Sequence, residues 1–319
     1  MTEKVVLIID GLNLFTRHYI AHPAIGENGD PVGGIVGFLY GVVSLAERCK
    51  PTDIIVVWEG GGSTKRRSIF SDYKKKRRPQ KLNRYYDDDI PNTVENRNYQ
   101  VSTIVSILNH VPVIQMYVPD CEADDVIGYL CRYSFKDCKK VILSSDKDFY
   151  QLLDDKTIIY SPTWKRFVNS IEIKKKFNIS PVNFSLAKSI CGDISDNIDG
   201  VKGVGFKTIA KRFPAMNHDT DVLISDIVSE SKKMIDEGSK VKAFSEIIKS
   251  ESKIRRNWKL IYLDTQNLSS TQINKINSSI DNFCPKRSKI EVMRKLLKEG
   301  IKTFNIDRMF LSLRHIKET

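Results

Sequence analysis

Apolar runs recur along this chain, and three of them lead directly to a carboxylate. Val5-Val6-Leu7-Ile8-Ile9 precedes Asp10, Ile54-Ile55-Val56-Val57-Trp58 precedes Glu59, and Val141-Ile142-Leu143-Ser144-Ser145 precedes Asp146. Runs this apolar and β-branched predict strands buried on both faces, as in a parallel sheet, over 5–10, 54–59 and 140–145. A fourth strand is predicted near 111–118, stopped by Pro119. Between the strands the spacing turns helical. Ile35, Phe38, Leu39, Val42 and Leu45 predict a helix near 33–48 behind Gly33-Gly34. Val101, Ile104, Val105 and Leu108 predict a second helix, and a third runs from about 122 to 134. Strands alternating with helices build right-handed βαβ units. After about residue 180 the pattern is helical only, which places a boundary near Asn178-Ile179-Ser180-Pro181, between an α/β domain at 1–179 and a helical domain at 180–319.

Charge sharpens this division. The chain of 319 residues is 41% apolar, enough for a full core, and its net charge of +12 points to a polyanionic partner. Residues 1–179 hold 26 Lys and Arg against 22 Asp and Glu. Segment 63–84 alone contributes ten of those bases and one acid, so the sheet domain is acidic apart from one basic insertion. No stretch approaches a membrane span, and the first apolar run is too short for a signal peptide. Six scattered cysteines without a Cys-x-x-Cys pair argue against zinc and for reduced thiols in a cytoplasmic protein.

Ligands of open α/β sheets bind beyond the carboxyl ends of the strands. Asp10, Glu59 and Asp146 should therefore share a rim with Glu122-Ala123-Asp124-Asp125 and with Asp148. Glu122 and Asp125, three apart, should share a helix face, and Asp146 and Asp148 should lie on one side of an extended segment. Acids in a first helical turn also serve as caps and dipole partners. So many carboxylates at one rim would repel one another, a penalty that divalent cations remove. All-oxygen donors suit Mg²⁺ or Mn²⁺, and two ions roughly 4 Å apart can activate water and stabilise a leaving oxygen in phosphoryl displacement. No Gly-x-x-x-x-Gly-Lys-Ser/Thr loop is present to cradle a nucleotide.

A second informative stretch is Gly192-Asp193-Ile194-Ser195-Asp196-Asn197, followed by Gly200-Val201-Lys202-Gly203-Val204-Gly205. The glycines read as a helix–hairpin–helix turn whose N–H groups can hold a phosphate, with Lys202, Lys207 and Lys211 adding charge. Such contacts position nucleic acid without reading its sequence. Asp193 and Asp196 are spaced to face the acidic rim together.

Taken in order, Asp10, Glu122-Ala123-Asp124-Asp125, Ser145-Asp146-Lys147-Asp148, Gly192-Asp193-x-x-Asp196-Asn197 and the glycine hairpin resemble the flap endonuclease and 5′–3′ exonuclease family, over about residues 5–212. Leu260-Ile261-Tyr262-Leu263-Asp264 and Pro285-Lys286-Arg287-Ser288-Lys289 look most like the stand-alone bacteriophage RNase H type. The resemblance implies a PIN-like, mostly parallel sheet flanked by helices, a helical arch at about 63–100, and a helix–hairpin–helix domain with a C-terminal extension. It further implies one metal cluster of Asp10, Glu122, Asp124, Asp146 and Asp148, and a second site of Asp125, Asp193 and Asp196. Glu59 stands where the family usually has Asp. Tyr73-Lys74-Lys75-Lys76-Arg77 resembles the family's Tyr-Lys-x-x-Arg, which makes Lys74 and Arg77 catalytic candidates on the scissile phosphate. Lys65, Arg66, Arg67, Lys74, Arg77, Arg78, Lys202, Gly203, Gly205 and Lys207 are the nucleic-acid-binding candidates. Tyr85 and Tyr86 are candidates for base stacking or for packing at the arch base, Asp87-Asp88-Asp89 reads as a solvated loop, and the five histidines read as structural.

The expected function is thus a divalent-metal-dependent, structure-specific 5′ nuclease with 5′–3′ exonuclease, flap endonuclease and RNase H activity. The resemblance to the phage type implies removal of lagging-strand RNA primers. It also implies two Mg²⁺ ions replaceable by Mn²⁺, K⁺ at the hairpin, and a monomer acting on 5′ flaps, nicked or gapped duplex and RNA–DNA hybrids. A single-strand-binding protein or sliding clamp is the expected protein partner. The alternatives are a non-catalytic protein that binds branched DNA, and a PIN-like ribonuclease.

Overall fold

A computed structural model of the protein describes residues 4–62, 64–75 and 94–316. Its centre is a six-stranded sheet ordered β3-β2-β1-β4-β5-β6. Strands β1 (Val5–Asp10), β2 (Asp53–Trp58), β3 (Ile114–Tyr117), β4 (Lys139–Leu143) and β5 (Thr157–Ser161) run parallel, and β6 (Arg166–Val168) closes the edge antiparallel to β5. Leu7 of β1 stands opposite both Ile54 of β2 and Val141 of β4. The chain therefore builds outward from β1 on one side and returns to its other side with β4. That switch lies at the strand ends that carry Asp10 and lead to Asp146, the place where open sheets bind ligands.

Alternate residues of β1 feed two cores, as the pleat requires. Val6 and Ile8 face α5 (Ala123–Tyr129), while Leu7 and Ile9 face α1 (Gly11–Ala21), α2 (Gly33–Cys49) and α4 (Val94–Leu108). The short α3 (Thr64–Ile69) opens the basic insertion, and α6 (Ser170–Phe177) ends in the left-handed residue Asn178. The second half of the chain continues with α7 (Phe184–Cys191), the two-residue strands β7 (Gly192–Asp193) and β8 (Ile198–Asp199), α8 (Phe206–Arg212), α9 (Ile224–Asp236), α10 (Lys242–Lys249), α11 (Glu251–Ile261) and α12 (Ser270–Asp281). Finally, α13 (Lys289–Lys298) and α14 (Ile306–Ser312) return to the sheet.

Packing does not part at residue 180. The core under Val6 and Ile8 runs on without interruption into Phe184, Ile190, Ile209, Phe213 and Phe244. The opposite core is completed by Val292, Leu296, Met309 and Leu313 from the last two helices. Arg308 grips Glu47 of α2 with two 2.8 Å hydrogen bonds, and Lys295 donates to Ser106 Oγ at 2.6 Å.

Several local expectations need correction. Helix α1, which no sequence expectation covered, follows β1 directly, because the Asp10 carboxylate caps it by accepting from Asn13 N at 3.0 Å. Strand β3 is shorter than 111–118, and the helix expected to 134 passes into a wider π-helical turn at Leu130–Ser134. Asp146 and Asp148 are not on an extended segment. Asp146 accepts from Asp148 N at 2.9 Å and starts a 3₁₀ turn, Lys147–Leu152. The six cysteines are all free. Among the described residues no helix is long and apolar enough to cross a membrane.

Candidate metal centre

Each acid reaches the rim through its own local device. Asp10 ends β1 and is buried, holding Asn13 N with one oxygen and accepting from Ser144 Oγ at 3.2 Å with the other. Asn13 Oδ1 in turn accepts from Ser145 N and Oγ, at 3.2 and 2.8 Å, which ties the loop after β4 to the start of α1. Burial pushes the Asp10 carboxyl up to about 7, and the facing charges of Asp146 and Glu59 push the same way. Asp124 is raised well above the ordinary carboxylate range by burial and by Asp146, Asp10 and Glu122. These groups form a repulsive set that a cation would relieve. Glu59 lies just beyond β2, half-buried, with Ala123 N directed at its Oε2 across 3.5 Å.

A second group forms where α7 ends. Carboxylate oxygens of Asp148, Asp193 and Asp196 lie within 4.8 Å of one another. A buried lysine that the sequence reading missed, Lys188 of α7, sits against them. Its ammonium bonds Asp148 and lies 2.6 Å from Asp193 Oδ2. Burial pushes Asp148 up to about 7 even with that ammonium beside it. Asp193, less enclosed and also taking bonds from Ser195 N and Oγ, is held below its ordinary value mainly by Lys188.

Across the rim stands the turn that follows α3. Lys74 Nζ is 2.8 Å from Glu122 Oε2 and 3.9 Å from Asp196 Oδ2, so it bridges the two acidic groups. Burial alone would lower the Lys74 pKa, but Glu122, Asp124 and Asp196 hold it raised. The Tyr73 hydroxyl donates to the same Glu122 oxygen at 3.0 Å and reaches Asp196 at 3.3 Å. Lys74 and Asn197 both adopt left-handed backbone, at φ 57° and 60°. The strain is held by reciprocal contacts, Lys74 N to Asp196 O at 2.9 Å and Asn197 Nδ2 to Asp72 O at 2.8 Å.

Two expected members lie elsewhere. Asp125 is fully buried and forms a bidentate pair with Arg66, and its Oδ1 also accepts from Asn267 at 3.1 Å. Glu122 and Asp125 do share a helix face, but that face meets Arg66. Asp125 is thus engaged by Arg66 and Asn267, and the carboxylate grouped with Asp193 and Asp196 is that of Asp148. Arg66, 1% exposed, presents no surface to DNA. Lys65 and Arg67 are exposed on α3. Lys202, Gly203, Gly205 and Lys207 are exposed at the hairpin, where Gly203 has φ 72° and buried Val201 and Val204 anchor the turn beneath. Arg77, Arg78, Tyr85, Tyr86 and Asp87-Asp88-Asp89 lie outside the described residues.

The sequence model for the N-terminal resolvase-like domain of 5′-3′ exonucleases matches residues 5–178. The chain belongs to the 5′-3′ exonuclease family. The 5′-3′ exonuclease of Aquifex aeolicus is 32% identical over 207 residues, 64% of this chain and 67% of that protein. DNA polymerase I of Bacillus subtilis is 31% identical over 218 residues, 66% of this chain but 23% of the polymerase. Among solved structures, T5 5′-exonuclease with bound zinc matches at a TM-score of 0.69 and 21% identity, covering 88% of this chain and 99% of its own. Flap endonuclease-1 from Methanococcus jannaschii matches at 0.52 and 15%, covering 97% and 90%. The two structures share the PIN-like fold of this family member, including its helical second half.

Proposed function

We propose that this exonuclease-family chain hydrolyses phosphodiesters near single-strand/duplex junctions, as a 5′–3′ exonuclease and flap endonuclease that also degrades the RNA of RNA–DNA hybrids. One observation carries the reading. Two acidic groups, partly to fully buried, meet at the sheet's switch point, and Lys74 of the basic insertion bridges Glu122 of one and Asp196 of the other. The donor set fits hard divalent cations, because it is all oxygen and because burial, with the charge of neighbouring carboxylates, holds Asp10, Asp124 and Asp148 above the ordinary carboxylate range. Asp10, Asp124 and Asp146, with Glu122 and Glu59 beside them, would hold one Mg²⁺ or Mn²⁺. Asp148, Asp193 and Asp196 would hold another. When bound, such ions lower the pKa of water and neutralise charge on a phosphate.

The protein's own groups supply the rest. Lys74 stays protonated at the rim and can meet a phosphate oxygen as negative charge develops there. Tyr73, its hydroxyl pKa pushed up by burial and Glu122, keeps its proton and orients Glu122 and Asp196. The glycine hairpin with Lys202 and Lys207 suits backbone phosphates of a duplex, with K⁺ as an additional ligand of that turn. The T5 D15 flap endonuclease, a fold neighbour, has been solved in complex with DNA and metal ions, which supports the same substrate class here. Lagging-strand RNA primers are the biological substrate we favour, with a single-strand-binding protein or sliding clamp recruiting the enzyme as a monomer.

The test is digestion of a 5′-labelled flap, a nicked duplex and an RNA–DNA hybrid side by side, with Mg²⁺ or with chelator. We expect Mg²⁺-dependent cleavage at the junction, abolished in Asp124→Asn and Asp146→Asn while flap binding persists. Binding without cleavage by the wild type would favour a junction-binding protein. Preference for unstructured single-stranded RNA would favour a PIN-like ribonuclease.

A further inference from the structure

Arg66 belongs by sequence to the basic insertion, yet its guanidinium is buried and joins three parts of the molecule. Nε donates to Leu260 O at 2.8 Å, at the end of α11. Nη2 donates to Asp125 Oδ1 at 2.7 Å, Nη1 bonds the other Asp125 oxygen, and Nη1 also lies 3.4 Å from Glu122 Oε2. Asn267 Nδ2 braces the arrangement from behind, on Asp125 Oδ1 and on Tyr262 O at 2.9 Å. Arg66 and Asp125 are 1% and 0% exposed. Burying an ion pair so completely gains little stability over an apolar pair of the same volume. A geometric role accounts for it better, because the planar fork fixes directions that a lysine cannot.

The direction it fixes is that of Glu122. A single Glu122 oxygen receives Arg66 from the inside, and Lys74 and Tyr73 from the rim. Lys74 thus finds its place through a carboxylate whose own place is set by Arg66. We infer that Arg66 is a positioning residue, acting on the reaction through Glu122 and the Tyr73–Lys74 turn, with Asp125 as its clamp. The inference rests on the nuclease reading above, and it gives Asp125 a task other than metal ligation.

The test compares Arg66→Lys, Asp125→Asn, Lys74→Met and the Arg66→Lys/Lys74→Met double variant, all below their melting transitions. Three quantities are measured: the single-turnover rate of flap cleavage in saturating Mg²⁺, flap affinity in Ca²⁺, and amide hydrogen exchange over residues 70–75. A catalytic group displaced by about 1 Å can lose about 100-fold in rate, so Arg66→Lys should slow cleavage on that order while flap affinity stays within about threefold. Asp125→Asn should follow the same pattern. Residues that act as one unit are non-additive, so Lys74→Met should slow the Arg66→Lys enzyme far less than it slows the wild type. Exchange over 70–75 should rise in Arg66→Lys and Asp125→Asn. Rate losses that multiply in the double variant, or an Arg66→Lys enzyme with wild-type rate and exchange, would overturn the inference. Should the wild type cleave no flap, the nuclease reading falls first. The exchange data then still decide whether Arg66 holds the turn, and unchanged exchange refutes it.

Discussion

Replacing Lys188 by methionine keeps most of the side-chain stem and removes the ammonium that pairs with Asp148 and Asp193, two of the three clustered carboxylates. Their oxygens lie within 4.8 Å of one another, and at an effective dielectric of about 20 two unit charges at that distance repel by about 3.5 kcal/mol. Three such pairs would total about 10 kcal/mol, a large part of the 5–15 kcal/mol that holds a typical domain together, so all three cannot remain ionised. Asp148, already pushed up to about 7 by burial, is the group that takes a proton. Asp193 is then left without its ammonium, and the expected loss is about 4 kcal/mol, the cost of removing one partner from a buried ion pair. The assay is urea unfolding at about pH 8 in chelator and again in millimolar Mg²⁺. In chelator the variant should lose about 4 kcal/mol, and Mg²⁺ should restore most of it, because an ion can occupy the place the ammonium left. A loss of equal size in both buffers would refute the reasoning, since the lysine would then be supporting packing alone.

Two further outcomes follow from the rim. In chelator the folded state keeps the Asp10 proton up to about 7, while an unfolded Asp releases it near its ordinary 3.8. The native state therefore binds more protons across that window, and stability attributable to Asp10 falls as pH rises through it. Asp10→Asn should gain on the wild type from about pH 4 to about pH 7, and a difference in unfolding midpoints that stays flat or reverses would contradict the burial argument. Gly60→Ala should cost about 3 kcal/mol, because its Cβ would sit 1.8 Å from Val118 O and 2.8 Å from Cys121 O, backbone atoms that cannot step aside. A change in urea midpoint equivalent to less than about 0.5 kcal/mol would show that the Glu59 and Glu122 loops can separate there.

What the sequence disclosed follows the range of the forces involved. Strands β1, β2 and β4 were legible because each is an unbroken apolar run enclosed on both faces. Helix α1 was not, since Asn13, Thr16, Arg17 and His18 interrupt its short buried side of Leu14, Phe15 and Tyr19. At the site, Asp124 and Asp125 are adjacent and chemically alike. Which one faces the rim is decided by Arg66, 59 positions earlier in the chain, and by Asn267, 142 later. No local pattern carries that information. Lys188 was hidden for a related reason, because one lysine in Phe184–Cys191 reads as a surface residue until Asp148 and Asp193 close over it. The hint was its setting among Leu186, Ala187 and Ile190, just ahead of an acidic box.

The two closing helices have a consequence for synthesis. Glu47 and Arg308 are 261 positions apart, and the face of the sheet formed by Leu7, Ile9, Val141 and Leu143 is sealed in part by Val292, Leu296 and Met309. At roughly 5–20 residues per second, a ribosome that has finished β4 needs on the order of ten to thirty seconds to deliver those helices. Through that interval the growing chain carries a nearly finished sheet with one flank of its α2–α4 layer uncovered. That flank is where a nascent-chain chaperone would be expected to bind, and where a stalled translation product would first aggregate.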